Sequence, residues 1–263
     1  MSTGAVQRFW LPVFSLWRRE LVRFVRARSR LMGSLGTPIL FWLLFGLGFG
    51  GSFRPPGTSG PEGDALVWFF PGTVALLLVF ASVFACISLI EDRHEGFLQA
   101  VLVAPVSRAA IVLGKVLGGA TTAFLEAALL LVLARFGGLG GGRACWGSTL
   151  GAMALLAVAL NAFGFCFAWV VDSVAGFHGV MNLVLFPLWL LSGALFPIEG
   201  APHVLRIALA VNPLTYGLAL LRHGLDVATP NLPAEPVSWG VTAAFAAASL
   251  AVAVTLVSRP KSS

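Results

Sequence analysis

The chain has 263 residues, of which 58% are hydrophobic and only 11% charged, with a formal net charge of +6. Soluble domains carry about a quarter charged residues, and disordered chains are poor in Leu, Val and Phe, so both classes are excluded. The basic excess lies mostly in the first thirty residues beside apolar sequence, which points to a membrane surface and away from nucleic acid.

The first element is an amphipathic helix within residues 1–30. Phe14, Trp17, Leu21 and Phe24 recur at helical spacing, and Arg19, Arg23, Arg26 and Arg30 form a second stripe. One oily and one cationic face suit a helix lying in the headgroup layer of an anionic leaflet.

A bilayer core of about 30 Å needs about 20 helical residues. Five stretches without charge reach that length: 31–53, 65–90, 144–171, 173–198 and 236–258. A sixth, 116–134, carries Glu126 near its middle. None of the six shows the period-two alternation of a barrel strand, so all six are expected to be helices. Residues 31–258 then form one six-span unit, followed by a short tail, 259–263.

Between the second and third spans, Glu91, Asp92, Arg93, His94, Glu95 and Gly96 lead into Phe97, Leu98, Gln99 and Leu102, and Pro105 ends the helix. An exposed Phe97-Leu98 knob flanked by acids is the composition of a protein docking surface, where apolar contact gives affinity and charge gives register. On the other side, residues 199–235 contain an apolar stretch, Ile207 to Leu221, broken at Asn212-Pro213. Its length suits a helical hairpin that enters one leaflet and returns, with Gly200, Pro202, Pro213 and Gly217 shaping its bends.

Orientation follows from Lys and Arg in the connections. With the amino terminus inside, twelve of the 17 basic residues lie on the inner side and five, Arg54, Arg135, Arg143, Arg206 and Arg222, on the outer side. Both termini are therefore expected in the cytoplasm. Cys86, Cys145 and Cys166 are too scattered for a disulfide framework or a metal knuckle, and no His pair has metal-ligand spacing, so no metal is expected.

Three stretches together resemble the permease subunits of the type-2 class of ABC exporters, the group of small drug, polysaccharide and nodulation-factor export permeases. Glu95-Gly96-Phe97-Leu98 runs through Ala104-Pro105-Val106-Ser107-Arg108 to Leu113-Gly114-Lys115, similar to the family's acidic-Gly start, "sPvsr" element and "GK" opening of the third span. Asn212-Pro213-Leu214-Thr215-Tyr216, followed by Leu221-Arg222, is similar to its "NPltY" stretch. The basic amphipathic start and six-span order complete the likeness, while Phe97 stands where many relatives carry a small polar residue. The resemblance implies an all-α fold in the bacterial cytoplasmic membrane, with the amphipathic start as connecting helix and Glu91 to Leu102 as coupling helix. It also implies a second permease copy or homologue and a separate ATPase that holds ATP and Mg. The implied cargo is lipid-like, glycan or drug-like and moves outward.

The chain itself has no nucleotide loop: a GxxxxGK[ST] match around Gly114-Lys115 would need Gly at 109 and Ser or Thr at 116, where Ala109 and Val116 stand. Catalytic residues are accordingly not expected. The alternative is an integral membrane enzyme such as a lipid-pyrophosphate phosphatase, suggested by the Glu91/Glu95 pair and by Pro105 to Arg108. Val106 replaces the Gly which that motif needs, and no second acid cluster is present. A centred acid costs roughly 2.5–3.5 kcal/mol on insertion scales, so Glu126 should face protein or water, where it either lines a path or joins helices. Asn161, Asn182 and Ser192 are weaker cases of the same kind. Gly114-xxx-Gly118 and Gly147-xxx-Gly151 should permit close helix approach.

Overall fold

A computed structural model describes residues 3–48, 64–136, 144–196, 202–227 and 229–259. These residues form ten helices and no strand. In chain order they are α1 (Thr3–Arg26), α2 (Arg28–Gly48), α3 (Asp64–His94), α4 (Phe97–Val103), α5 (Arg108–Phe136), α6 (Trp146–Val170), α7 (Val174–Trp189), α8 (His203–Val211), α9 (Pro213–Gly224) and α10 (Glu235–Ser258).

Five helical stretches are long and apolar enough to cross a bilayer: Ala65–His94, Arg108–Arg135, Trp146–Val170, Val174–Ala194 and Glu235–Ser258. The bent pair α8 and α9 would make a sixth. The first expected span is helical as α2, in which Met32–Gly48 is a shorter apolar stretch; its continuation to Phe53 lies outside the described residues, as do Arg54, Arg143 and Gly200. The chain is thus an all-helical, multi-pass membrane protein.

The core is built on α3, whose Val74, Ala75, Leu76, Leu77 and Leu78 are fully buried. A helix shielded on every side must be apolar all round, which is why this run carries no polar stripe. Around it pack α2, α5, α6, α7 and α9, with α10 against α6 and α9. Small residues set the closest approaches. A Cβ on Gly217 would stand 2.7 Å from Leu156 of α6, and one on Gly224 would stand 2.9 Å from the backbone N of Thr149.

Several helix bounds differ from the expected ones. Helix α5 starts eight residues early, at Arg108, because Lys115 is buried inside the protein and does not mark a helix end. Helix α3 runs on to His94, so Glu91 to His94 belong to its last turn and not to a separate helix. Gly96 makes the break, with φ +77, a left-handed conformation that costs glycine nothing.

The chain after α7 is irregular. Pro187 lies inside the last turn of α7, Leu190 to Ala194 form a π-turn with non-helical backbone at Leu191, and Gly193 has φ +85. Asn212 joins α8 to α9 across a bend of 82°.

Candidate functional site

Two polar sites lie at opposite ends of α3. Trp68 at one end and Asp92 at the other are 24 residues apart, about 36 Å at 1.5 Å per residue, close to the thickness of a bilayer core.

At the Asp92 end, α1, α3 and α5 are joined by ions. Asp92 is fully buried and accepts two hydrogen bonds from Arg19, from Nη1 at 2.7 Å and Nη2 at 2.6 Å. Nη2 of Arg23 stands 3.1 Å from the same carboxylate. Nζ of Lys115, itself buried, donates to Asp92 and, at 2.6 Å, to Glu20. The Arg19 guanidinium lies 3.7 Å over the ring of Phe97, which brings α4 into the cluster. The hydrogen bonds that Arg19 donates to Asp92 raise the pKa of Arg19 above its ordinary value against the opposing effect of burial. Five charged groups from three helices and one aromatic ring thus fix the end of α3, the start of α4 and the middle of α1 as one body.

The amphipathic expectation for α1 is refined by these contacts. Val13, Leu16 and Glu20 are buried against α5, and Trp17 donates through Nε1 to Thr121 at 3.1 Å. Arg19 and Arg23 turn inward to Asp92, Arg26 is exposed, and the side chain of Arg30 lies outside the described residues. Among the described side chains of α1, the exposed large apolar ones are Trp10, Leu11, Phe14, Val22 and Val25. The cationic stripe is therefore divided, because a buried carboxylate on α3 supplies a better partner than water.

Gly114 and Gly118 make this docking possible. A Cβ on Gly114 would stand 2.8 Å from Cβ of Leu16 and 3.0 Å from the carbonyl oxygen of Val13; one on Gly118 would stand 2.7 Å from Cβ of Glu20. Gly147, in the other small-residue motif, faces open space, and only Gly151 meets a neighbour, Trp239 at 3.1 Å. Gly114→Ala is expected to cost about 1–3 kcal/mol by overpacking, read as a lowered unfolding midpoint in detergent, whereas Gly147→Ala should leave the midpoint unchanged or slightly raised. Equal effects would refute the assignment of α1 to this groove.

The expected Phe97-Leu98 knob is corrected. Leu98 is 3% exposed and packs into the core, Phe97 is half-buried beneath Arg19, and Leu102 is partly buried against the core. Leu98 turns inward because α4 is anchored by its apolar face. The exposed residues of α4 are Gln99, Ala100 and Val103, the last 87% exposed, and Glu91 and Glu95 are exposed before the Gly96 break. Within α4 the spacing of four from Gln99 to Val103 was the signal available in the sequence. Arg93 also turns inward, to the end of α6. Its Nη1 donates to the carbonyl of Val171 and to Asp172 at 3.0 Å, and its Nη2 to the carbonyl of Trp169 at 2.6 Å. A guanidinium there satisfies carbonyls that a helix end leaves without partners.

At the other end of α3, polar side chains close the irregular end of α7. The π-turn and Gly193 leave backbone carbonyls without regular helical partners. Ser192 donates through Oγ to the carbonyl of Trp189 at 2.6 Å, Asn212 through Nδ2 to that of Leu188 at 2.6 Å, and Arg222 through Nη2 to that of Gly193 at 2.8 Å. Asn212 also accepts from the amide of Leu214 at 2.9 Å and so caps α9, and Pro213 fits the first helical position, where no amide hydrogen is needed. Tyr216 donates to the carbonyl of Ala210 at 2.9 Å, bracing the bend. Arg222 is 1% exposed and its guanidinium lies 4.7 Å from the centre of the Trp68 ring.

Of the polar residues inside spans, Glu126 and Ser192 are buried within the chain and Asn182 is exposed on it. Asn161 is buried between helices, donating to Ser82 and to the carbonyl of Ala157, both at 2.9 Å.

Residues 12–225 match the family of ABC-2 type transporters. The chain belongs to that family. Among its relatives are Nodulation protein J of Rhizobium leguminosarum bv. trifolii, 31% identical over 219 residues (81% of this chain, 79% of the relative), and the transport permease ycf38 of Cyanophora paradoxa, 27% identical over 226 residues (84% and 77%). Nodulation protein J of Sinorhizobium fredii is 30% identical over 223 residues (81% and 79%). The matched region includes α4, most of α1 and the Asn212 bend. The protein is accordingly a transport permease, and members of its family are membrane subunits that normally work with an ATPase subunit.

Proposed function

We propose that this permease is the membrane half of an ATP-driven exporter in a bacterial cytoplasmic membrane, with both termini in the cytoplasm. It pairs with a second copy or a homologue and moves a lipid-like, glycan or drug-like cargo outward. A separate ATPase chain holds ATP and Mg and docks on the open side of α4. The observation that carries this reading is the ionic body at Asp92. A push on α4 reaches Phe97 and Arg19, and from Asp92 and Lys115 it acts on the ends of α3 and α5 together. Such a joint transmits displacement because α1, α3 and α5 are tied by charge and not by sliding apolar contact alone. Coupling further requires that ATP and cargo each favour a different arrangement of these helices. Exposed apolar residues on α1, Trp10, Leu11 and Phe14, suit contact with the headgroup layer beside the ATPase.

The test uses exposed positions that make no side-chain hydrogen bond or ion pair among the described residues. Ala100→Arg with Val103→Asp is expected to leave insertion and helix content unchanged, while co-purified ATPase falls by about tenfold or more and export is lost. Full ATPase stoichiometry with undiminished export would overturn the docking assignment.

A further inference from the structure

A cavity of about 320 Å³ lies beside α4, lined by Arg93, Leu98, Gln99, Leu102, Arg108, Trp169, Val257 and Arg259. It sits where α3, α6 and α10 end and α5 begins, and its lining is divided between charge and oil. Arg93 is used internally, by Asp172 and the carbonyls at the end of α6. Arg108 gives one hydrogen bond, from Nη1 to the carbonyl of Leu102 at 3.1 Å, which fixes its position at the rim. Neither Arg108 nor Arg259 has a carboxylate partner among the described residues. Two acids at neighbouring helix ends pair with other cations: Asp172 with Arg93, and Glu95 at 3.6 Å with Arg23. Leu98, Leu102, Trp169 and Val257 form the apolar part of the wall.

We infer that this cavity binds the phosphate headgroup of an anionic phospholipid, with Arg108 and Arg259 on the phosphate and the acyl chains led out past Leu102 and Val257. Two cations without ion-pair partners at the ends of membrane helices call for an anion, and guanidinium groups match phosphate oxygens in geometry and charge. A free phosphate compound would leave the apolar wall unused. A lipid uses both halves, and the volume falls within the range of small-molecule sites. A lipid held here would brace α4 against α6 and α10. The site depends on the membrane-spanning fold and not on the exporter reading.

The test is native mass spectrometry of the full chain in detergent, titrated with phosphatidylglycerol, phosphatidylcholine or glycerol 3-phosphate. Phosphatidylglycerol should be retained about tenfold more strongly than phosphatidylcholine. The preference should vanish in Arg108→Gln with Arg259→Gln and survive in Arg108→Lys with Arg259→Lys. Val257→Trp, which fills the cavity without changing charge, should also abolish it. Equal retention of the two lipids, or a preference that persists in both the Gln pair and Val257→Trp, overturns the site. Displacement of the lipid by equimolar glycerol 3-phosphate shows a phosphate site without need of acyl chains and overturns the lipid assignment. Because no ATPase is present, a negative result leaves the exporter reading intact.

Discussion

Asp92→Ala is expected to lower the unfolding free energy by about 3–5 kcal/mol, the cost of removing one member of a buried ion pair and leaving its partners uncompensated. Without that carboxylate, Arg19, Arg23 and Lys115 face one another with Glu20 as the remaining buried acid. Burial decides the magnitude: exposed ion pairs contribute about 0–1 kcal/mol, whereas Asp92 is 0% exposed. The loss should be asymmetric. Asp92→Leu combined with Lys115→Leu is expected to recover a substantial part of it, since apolar replacements of a buried pair are often neutral. Chemical denaturation in mixed micelles, followed by circular dichroism, reads both. A single-variant loss under about 1 kcal/mol would show that water reaches the cluster and would refute its role as a rigid joint.

The second large effect is expected at Arg222. Arg222→Ala removes the donor to the Gly193 carbonyl and the cation above Trp68, and it opens space in a fully packed region. A buried acceptor left without its donor costs about 1–3 kcal/mol, and truncation of a large buried side chain adds a cavity cost. A combined loss of about 2–4 kcal/mol is expected, with increased proteolysis between α7 and α8 as the local signature. Arg222→Lys should restore only part of it, because an ammonium cannot offer the same planar donor set over an indole. Stability indistinguishable from the parent protein would mean that the irregular end of α7 does not depend on this side chain.

Much of the architecture was legible because insertion into lipid leaves few options. Runs without charge reported α3, α6 and α10 to within a few residues and the start of α7, whose end the π-turn moves forward to Trp189, and Asn212-Pro213 marked the bend between α8 and α9. The start of α5 was misplaced for a specific reason. Lys115 reads as a boundary when charge is assumed to face water, but it is buried by partners 23 and 95 residues away. The same assumption hid Arg222, counted as an ordinary basic residue of a connection, and made Asp92 appear part of an exterior surface. Leu98 was read as a knob because periodicity identifies an apolar face without saying what covers it. Ion pairs between helices leave no periodic trace in one sequence, so the cluster required the tertiary arrangement. The exposed spacing from Gln99 to Val103 was available in the sequence, yet the break at Gly96 separates it from Glu91 and Glu95 and obscures the pattern.

The joint at Asp92 also dictates an order of assembly. Helix α1 leaves the ribosome before α3 and α5, and its partners Asp92 and Lys115 follow it by 73 and 95 residues. At synthesis rates of about 5–20 residues per second, the nascent chain therefore carries α1 undocked for roughly 5–20 s. Until Asp92 is made, the tryptophans and arginines of α1 have only lipid and water as neighbours, and Asp92 is made before Lys115, the third of its basic partners. An amphipathic leader that waits at the bilayer surface and seats itself after α5 fits that order.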